Sequence, residues 1–190
     1  MIISSWNVNS IRARILNVQE YLKKFNPDVV LVQEIKTQDE TYPYDDVKKI
    51  KYESYVFGQK SYNGVAILSK KKLDNIQKDI FKDKNKQSRI IAANIKYKSK
   101  VIKLINIYTP NGNPVDTEKY DYKLYWLDSL IKKLKSLLKT NENIIIAGDF
   151  NIIPAAEDVH NPKGYENDAL YRTEIRKKLR EMYNLGFHDA

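Results

Sequence analysis

The sequence has no cysteine and only two histidines in 190 residues. A disulfide framework is therefore excluded, which suits a reducing compartment such as the cytoplasm. His160 and His188 lack the spacing to a second histidine that a zinc site would need. The longest apolar runs are too short to cross a bilayer, and no signal peptide opens the chain. We therefore expect a cytoplasmic protein that does not associate with a membrane.

The composition favours a folded protein with a polyanionic partner. Hydrophobic residues make up 42% of the chain and charged residues 30%, as in folded proteins, and 190 residues fit one domain. The net charge of +9 suggests nucleic acid as the partner. The lysines are scattered, however, and accompany many Asn, Ile and Tyr residues, as an A/T-rich coding sequence would also produce. Charge alone therefore leaves both interpretations open.

Four short apolar runs each end near a polar residue. Their length and their content of Ile and Val predict β-strands that are buried on both faces. Polar residues at the carboxyl ends of such strands lie along one rim of the sheet, where sites in α/β proteins are usually built. The runs are residues 2–6, 29–32, 101–107 and 144–147, and the polar residues after them are Asn7, Glu34, Tyr108, Asp149 and Asn151. Such oxygen ligands favour a hard divalent cation such as Mg²⁺ over zinc.

The remaining pattern predicts a mixed α/β fold. Apolar residues at helical spacing predict helices over residues 10–25, 117–140 and 171–184. Residues 52–58 and 64–69 form one predicted pair of strands, and residues 88–97 and 100–108 form another. Because strands and helices do not alternate strictly, we expect sheets packed face to face with helices outside.

The polar residues at the strand ends allow both a chemical and a structural interpretation. Glu34 is suited to hold a metal, but it could also cap a helix or pair with Lys36. Asp149 could orient or deprotonate a water, and Asn151 could donate hydrogen bonds to a phosphoryl oxygen. Both are also ordinary turn residues. Tyr108 could reach a phosphate or simply end a strand.

Several motifs, in this order, resemble those of the exonuclease III family of abasic-site DNA endonucleases. They are WNVNSIRA at residues 6–13, LVQEIK at 31–36, NGVAIL at 63–68, RII at 89–91, NIYTPNG at 106–112, GDFNI at 148–152 and EDVHNPK at 157–163. The motifs GDFN and QE occur across the wider endonuclease/exonuclease/phosphatase superfamily. Lys36 after Gln33-Glu34, together with the NSIRA opening, points to its DNA-repair branch.

The resemblance implies a four-layer α-β-β-α sandwich and hydrolysis of DNA phosphodiesters with Mg²⁺, for which Mn²⁺ is a possible substitute. It also implies a monomer that acts on double-stranded DNA at abasic sites or 3′ ends. The metal ligands would come from Asn7, Glu34, Asp149 and Asn151. The catalytic residues would be Tyr108 at the scissile phosphate, Asp149 at the attacking water and Asn151 at the transition state. The residues near the DNA would be Lys36, Arg89 and Asn111.

One departure from the family pattern concerns the end of the sequence. Members of the family continue into a segment with an Asp that orients a His and a terminal Ser-Asp-His, which this sequence does not contain. We therefore expect a single domain over residues 1–190 that lacks the C-terminal segment of its family. An inactive truncated remnant that at most binds DNA is the alternative function. A phospholipid or inositol phosphate substrate is disfavoured by Lys36 and by the basic composition.

Overall fold

The computed structural model describes residues 1–140 and 143–190. Its backbone contacts divide these residues into two compact units. The first unit contains residues 1–108 and 143–150, and the second contains residues 109–140 and 151–190. Within the described residues, no helix is long and apolar enough to cross a membrane.

The first sheet contains four strands in the order β1-β2-β4-β3. The strands are β1 (Ile3–Asn7), β2 (Val29–Gln33), β3 (Glu53–Phe57) and β4 (Val65–Ser69). Strands β1 and β2 are parallel, and the other neighbours are antiparallel. Helices α1 (Ile15–Phe25) and α2 (Tyr44–Lys48) supply Val18, Leu22 and Val47 to the core on one face of this sheet.

The second sheet also contains four strands, in the order β5-β6-β7-β8. The strands are β5 (Asp74–Lys78), β6 (Ile90–Tyr97), β7 (Lys100–Tyr108) and β8 (Asn143–Asp149). Strands β7 and β8 are parallel, whereas β5, β6 and β7 are antiparallel. A core of aliphatic side chains lies between the two sheets and includes Leu31 of β2 and Leu104 of β7.

Strand β2 shows why the sequence forms buried strands. Val29 and Leu31 face the core between the sheets, whereas Val30 and Val32 face the core beneath the helices. Every side chain of β2 is buried, as its continuous apolar pattern predicts. Burial on both faces was wrong for β1 and β8, whose residues are mostly half-buried. Each of these two strands lies at the edge of its sheet and has a neighbouring strand on one side only, so its residues are less buried.

The first predicted helix begins later than the apolar pattern suggested. Helix α1 begins at Ile15 instead of residue 10, because Asn9 and Ser10 have φ angles of 44° and 88°. These angles lie in the left-handed region, which a right-handed helix cannot include. Strand β5 was not predicted, since only Ile76 among its residues is apolar.

The second unit contains helices α3 (Glu118–Leu138) and α4 (Thr173–Asn184). The last of these was predicted from residue 171, but Arg172 before it has an extended ψ of 141°. The two helices contact each other, and Lys178 forms an ion pair with Asp128 at 2.7 Å. The amphipathic stripe predicted for α3 is present, with Leu127, Leu130 and Leu134 buried.

Candidate active site

The parallel strand pairs bring the predicted polar residues of the first unit to the strand ends. Asn7 ends β1 opposite Gln33 of β2, so Glu34 follows directly beside it. Tyr108 ends β7 opposite Asp149, the last residue of β8. The carboxyl ends of β1, β2, β7 and β8 therefore meet, and these side chains lie at one rim, as the strand pattern predicted.

Asn7 joins the two carboxylates of this rim. Its side-chain nitrogen Nδ2 donates hydrogen bonds to Oε1 of Glu34 and to Oδ2 of Asp149, both at 2.8 Å. Its oxygen Oδ1 accepts a hydrogen bond from the backbone N–H of Asn9 at 3.1 Å. The bond to Asp149 connects the first sheet to the second, so the amide fixes the two carboxylates in a common position.

Glu34 is held as an anion by its neighbours. Partial burial raises its pKa, but hydrogen bonds from Asn7, Lys36 and Tyr108 outweigh burial, so the pKa lies below its usual value. Lys36 contributes an ion pair, with Nζ 3.0 Å from Oε2 of Glu34, and also donates a hydrogen bond to Asn9. Glu34 therefore carries its negative charge at neutral pH.

Tyr108 and Arg89 form the other side of the rim. Burial and the negative charge of Glu34 raise the pKa of Tyr108 to about 12, so its phenol remains a hydrogen-bond donor at neutral pH. The guanidinium carbon of Arg89 lies 4.8 Å from the centre of the Tyr108 ring. Arg89 also donates from Nη1 to the backbone oxygen of Tyr108 at 3.2 Å, which fixes the cation above the ring. The pair places a neutral donor and a positive charge together, as the binding of a phosphate requires.

The backbone of the site is constrained by one glycine and by several residues with left-handed conformations. Gly148, immediately before Asp149, has a φ of 144°, and a Cβ at this position would overlap the carbonyl oxygen of Ile107. Only glycine therefore allows β8 to pair closely with β7 at this point. Glu34 and Lys36 have φ angles of 50° and 51°, which are uncommon for residues with side chains. Such conformations persist where the surrounding structure fixes them, and they concentrate at functional sites.

A buried pair of amides, which the sequence analysis gave no role, lies between the sheets behind these residues. Asn106 donates from Nδ2 to the backbone oxygens of Val32 at 2.9 Å and of Ala66 at 2.8 Å. It accepts a hydrogen bond from Nε2 of Gln33 at 2.7 Å. Gln33 directly precedes Glu34, and Asn106 lies two residues before Tyr108, so this pair joins the strands that carry both. The signal was an Asn inside an apolar strand, since a buried amide needs hydrogen-bond partners.

The second unit contains the remaining two predicted residues, Asn111 and Asn151. The backbone oxygens of both accept hydrogen bonds from Nζ of Lys123, at 2.9 Å and 2.6 Å. Lys123 is fully buried and donates a third hydrogen bond to the backbone oxygen of Ala169 at 3.1 Å. The side chain of Asn151 donates to the backbone oxygen of Thr109 at 2.8 Å. One lysine thus holds three loops of this unit together.

Sequence reasoning did not identify Lys123, although the signal was present. Lys123 occupies the apolar stripe of α3, four residues before Leu127 and seven before Leu130. A lysine at such a position is buried with its charge and therefore needs a full set of acceptors. The three carbonyl oxygens match the three N–H donors of an ammonium group.

The residues of the first unit fit a hard divalent cation. The carboxylates of Glu34 and Asp149 supply oxygen ligands of the kind that Mg²⁺ prefers. The amide of Asn7 presents Nδ2 to both carboxylates, while its oxygen accepts from the N–H of Asn9. The residues that the structure describes contain no group of three or more Asp, Glu, His or Cys side chains suited to a metal. Mg²⁺ usually keeps several waters and is held by one or two carboxylates, so the pair of Glu34 and Asp149 is compatible with it.

Comparisons with known proteins identify relatives along almost the whole chain. The model of the endonuclease/exonuclease/phosphatase family matches residues 4–188. Exodeoxyribonuclease III of Haemophilus influenzae is 30% identical over 194 residues, which cover 98% of this chain and 73% of that protein.

Two solved structures are similar in fold and sequence. An AP endonuclease from Archaeoglobus fulgidus has a TM-score of 0.92 and 34% identity, covering 100% of this chain and 72% of the other. The 3′ phosphatase NExo from Neisseria, solved with a product DNA hairpin, has a TM-score of 0.87 and 28% identity, covering 97% of this chain and 71% of the other. These structures confirm the predicted α/β sandwich fold.

Proposed function

Since the chain belongs to the endonuclease/exonuclease/phosphatase family, we propose that it hydrolyses phosphodiesters of double-stranded DNA, at abasic sites or at 3′ ends, with Mg²⁺. The relatives are exodeoxyribonuclease III and AP endonucleases, which confirms the sequence prediction of a DNA-repair nuclease of this type. Nucleases of this family depend on a metal.

The observation that carries the proposal is the hydrogen-bonded group of Asn7, Glu34, Asp149 and Tyr108. Two carboxylates share one amide donor, and the phenol donates to one of them. If Glu34 served only to form an ion pair with Lys36, the nearby Asp149, Asn7 and Tyr108 would not be needed. Two acidic side chains at the ends of strands from different sheets, beside a phenol and Arg89, are instead suited to a phosphate and its counterion.

We assign the metal to the carboxylates of Glu34 and Asp149, and to Asn7 with its amide turned so that the oxygen takes the place of Nδ2 beside them. A divalent cation bound there would neutralise phosphate charge and lower the pKa of a coordinated water. Nζ of Lys36 lies 3.0 Å from Oε2 of Glu34 and offsets part of the negative charge of the two carboxylates. Asn151 is assigned to the same ligand set from its position in the GDFN motif.

The chain's own residues bind the phosphate and move the proton. The phenol of Tyr108 and the guanidinium of Arg89 bind the scissile phosphate, because both are donors at neutral pH. Asp149 accepts a proton from the attacking water, because its carboxylate lies at the rim and is held there by the hydrogen bond from Nδ2 of Asn7 at 2.8 Å. Asn151 donates to the phosphoryl oxygen as negative charge develops, and Lys36 and Asn111 contact the DNA backbone.

Incision of a duplex with one abasic site tests the proposal. With Mg²⁺ present, Glu34→Gln and Asp149→Asn should each lower the incision rate at least ~100-fold, because each removes a charge but keeps the shape of the side chain. Asp46→Asn is the matched control, since Asp46 is a partly exposed carboxylate on α2, away from the rim, that forms an ion pair with Lys49 at 3.2 Å.

Two outcomes would contradict the proposal. Incision by Asp149→Asn at the rate of Asp46→Asn would show that Asp149 does not act on the nucleophile. If the parent chain binds the duplex but never cuts it, the alternative of a non-catalytic DNA-binding protein would be favoured.

A further inference from the structure

A side chain that the proposed reaction does not use joins two loops of the first unit. The oxygen Oε1 of Gln59 accepts a hydrogen bond from the backbone N–H of Ser88 and another from Nδ2 of Asn63, both at 3.0 Å. Gln59 is half-buried, and Ser88 and Asn63 are 4% and 5% exposed. Residues 58–64 connect β3 to β4, and residues 79–89 connect β5 to β6. This one oxygen therefore bridges the two connections.

The orientation of the Gln59 amide follows from its two partners. A backbone N–H can only donate, so the atom that faces Ser88 is the oxygen and not the side-chain nitrogen. The two donors occupy both lone pairs of this oxygen. The backbone of Gln59 is fixed as well, because its N–H donates to the oxygen of Thr37 at 3.0 Å. The amide oxygen is therefore held in one place, and an apolar replacement would leave two buried donors without their acceptor.

The loop between β3 and β4 supports the chain that follows Glu34. The backbone oxygen of Asn63 accepts a hydrogen bond from the N–H of Lys36 at 3.0 Å. The backbone oxygen of Gly64 accepts one from the N–H of Ile35 at 3.1 Å. A Cβ on Gly64 would lie 2.5 Å from Cγ1 of Ile35, so this loop is packed directly against the segment. The loop therefore helps to set the position of the residues next to Glu34.

The loop between β5 and β6 supports Arg89. Ser88 directly precedes Arg89, and its backbone oxygen accepts a hydrogen bond from the N–H of Gly64 at 2.9 Å. Oγ of Ser88 donates to the backbone oxygen of Gly58 at 2.8 Å. With the bond to Gln59, the N–H, the C=O and the hydroxyl of Ser88 all bind the loop between β3 and β4. The backbone at Arg89 is therefore tied to that loop.

The guanidinium of Arg89 moves with its backbone, because its own contacts are local. Nε donates to Oε1 of Gln87 at 2.5 Å, and Nη1 donates to the backbone oxygen of Tyr108 at 3.2 Å. The backbone oxygen of Arg89 accepts a hydrogen bond from the N–H of Tyr108 at 2.7 Å, and Arg89 is only 9% exposed. A shift of the segment before β6 would therefore carry the guanidinium with it, since the side chain has little freedom to compensate.

We propose that Gln59 is a positioning residue for hydrolysis of the phosphodiester, because it joins the two loops and so fixes Arg89 relative to Glu34. The inference rests on the proposed function, in which Arg89 binds the scissile phosphate and Glu34 binds the metal. A displacement of about 1 Å at such a site costs up to ~100-fold in rate. A role in stability alone would leave Arg89 in place in the folded protein, so the position of Arg89 distinguishes the two roles.

Nuclear magnetic resonance measures the position of Arg89 without substrate or metal. The Tyr108 ring should shift the Nε–H signal of Arg89, and the loss of this signal in Arg89→Lys assigns it. In Gln59→Leu, which is close in size but accepts no hydrogen bond, we expect the signal to move toward those of exposed arginines. Gln59→Glu should keep the signal in place, because a carboxylate oxygen can accept both hydrogen bonds. Gln77→Leu is the matched control, since the side chain of Gln77 donates to Asn75 within β5.

Incision of an abasic duplex with Mg²⁺ then tests whether this position matters for the reaction. Gln59→Leu should lower kcat/KM about 10- to 100-fold, whereas Gln59→Glu and Gln77→Leu should stay within about 2-fold of the parent chain. If Gln59 acts through Arg89, the loss caused by Gln59→Leu should shrink to about 2-fold or less in the Arg89→Lys background. Arg89→Lys keeps a positive charge but not the planar contacts, so incision remains measurable.

The possible results distinguish this inference from the proposed function. An unmoved Arg89 signal in Gln59→Leu would overturn the inference, and so would an equal loss of incision in the parent and Arg89→Lys backgrounds. If Gln59→Leu does not fold, Gln59→Ala takes its place, because a water can then reach the two donors. Failure of both variants to fold would assign Gln59 to stability alone and overturn the inference. If no chain incises DNA, but the Arg89 signal moves in Gln59→Leu and returns in Gln59→Glu, the positioning of Arg89 is supported while the proposed nuclease function fails.

Discussion

Replacement of Asn106 by leucine tests how strongly the buried amides hold the two sheets together. Asn106 is fully buried and takes part in three hydrogen bonds of 2.7–2.9 Å, with Gln33 and with the backbone oxygens of Val32 and Ala66. Each buried group left without its partner costs about 1–3 kcal/mol. Gln33 keeps its hydrogen bond to the oxygen of Leu31, so we expect a total loss of about 2–4 kcal/mol in the free energy of unfolding.

Urea unfolding followed by circular dichroism measures this loss as a lower midpoint at an unchanged slope. The double variant Gln33→Met/Asn106→Leu should recover much of it, because two apolar partners leave no amide unsatisfied. Asn94→Leu is the matched control on β6: among the described residues, the side-chain oxygen of Asn94 is buried without a hydrogen-bond partner. A loss below about 0.5 kcal/mol for Asn106→Leu, or one equal to that of Asn94→Leu, would refute the reasoning.

Three further predictions follow from single residues. Lys123→Met should lower the free energy of unfolding, measured by denaturant titration, by about 3 kcal/mol or more, because three carbonyl oxygens lose their common donor. Lys123→Arg should be destabilised as well, since a planar guanidinium cannot donate to all three oxygens in the same way. Tyr108→Phe should move the acid limb of the pH–rate profile of incision to higher pH, because Glu34 loses a hydrogen bond that lowers its pKa; an unmoved limb would contradict this. Burial and the charge of Asp83 raise the pKa of Asp79 from 3.8 to about 6, so the stability that its protonated form provides is lost as the pH rises through about 6. Asp79→Asn should therefore raise the melting temperature at about pH 8 and have little effect near pH 4, and a gain independent of pH would contradict the assignment.

Much of the fold could be predicted because its strands have distinctive patterns. The continuous apolar run of β2, the Ile- and Leu-rich β7 and the turn before β4 contain enough local signal to fix the type of these elements. Strand β5 and the short helix α2 could not be found, because residues 74–78 are almost entirely polar and five residues cannot show helical periodicity. The edge positions of β1 and β8 depend on strand order, which local patterns do not encode.

Local sequence patterns also predicted part of the candidate site. Polar residues at strand ends identified Asn7, Glu34, Tyr108 and Asp149, but not how they pair. The hydrogen bonds of Asn7 to both carboxylates depend on contact between two sheets, 142 residues apart in the chain. Asn111 and Asn151 belong to the second unit, and their roles remain proposals from the motif resemblance. The role of Asn106 could have been predicted, because an amide inside a buried strand needs hydrogen-bond partners.

The proposed reaction depends on Glu34 and Asp149 forming a binding site for a divalent cation. Titration of the chain with Mn²⁺, followed by electron paramagnetic resonance of the free ion, tests it without any substrate. We expect saturable binding that is at least ~10-fold weaker in Glu34→Gln, since one anionic ligand is lost, and unchanged in Asp46→Asn. Equal affinity of the parent chain and Glu34→Gln would contradict the assignment of the site.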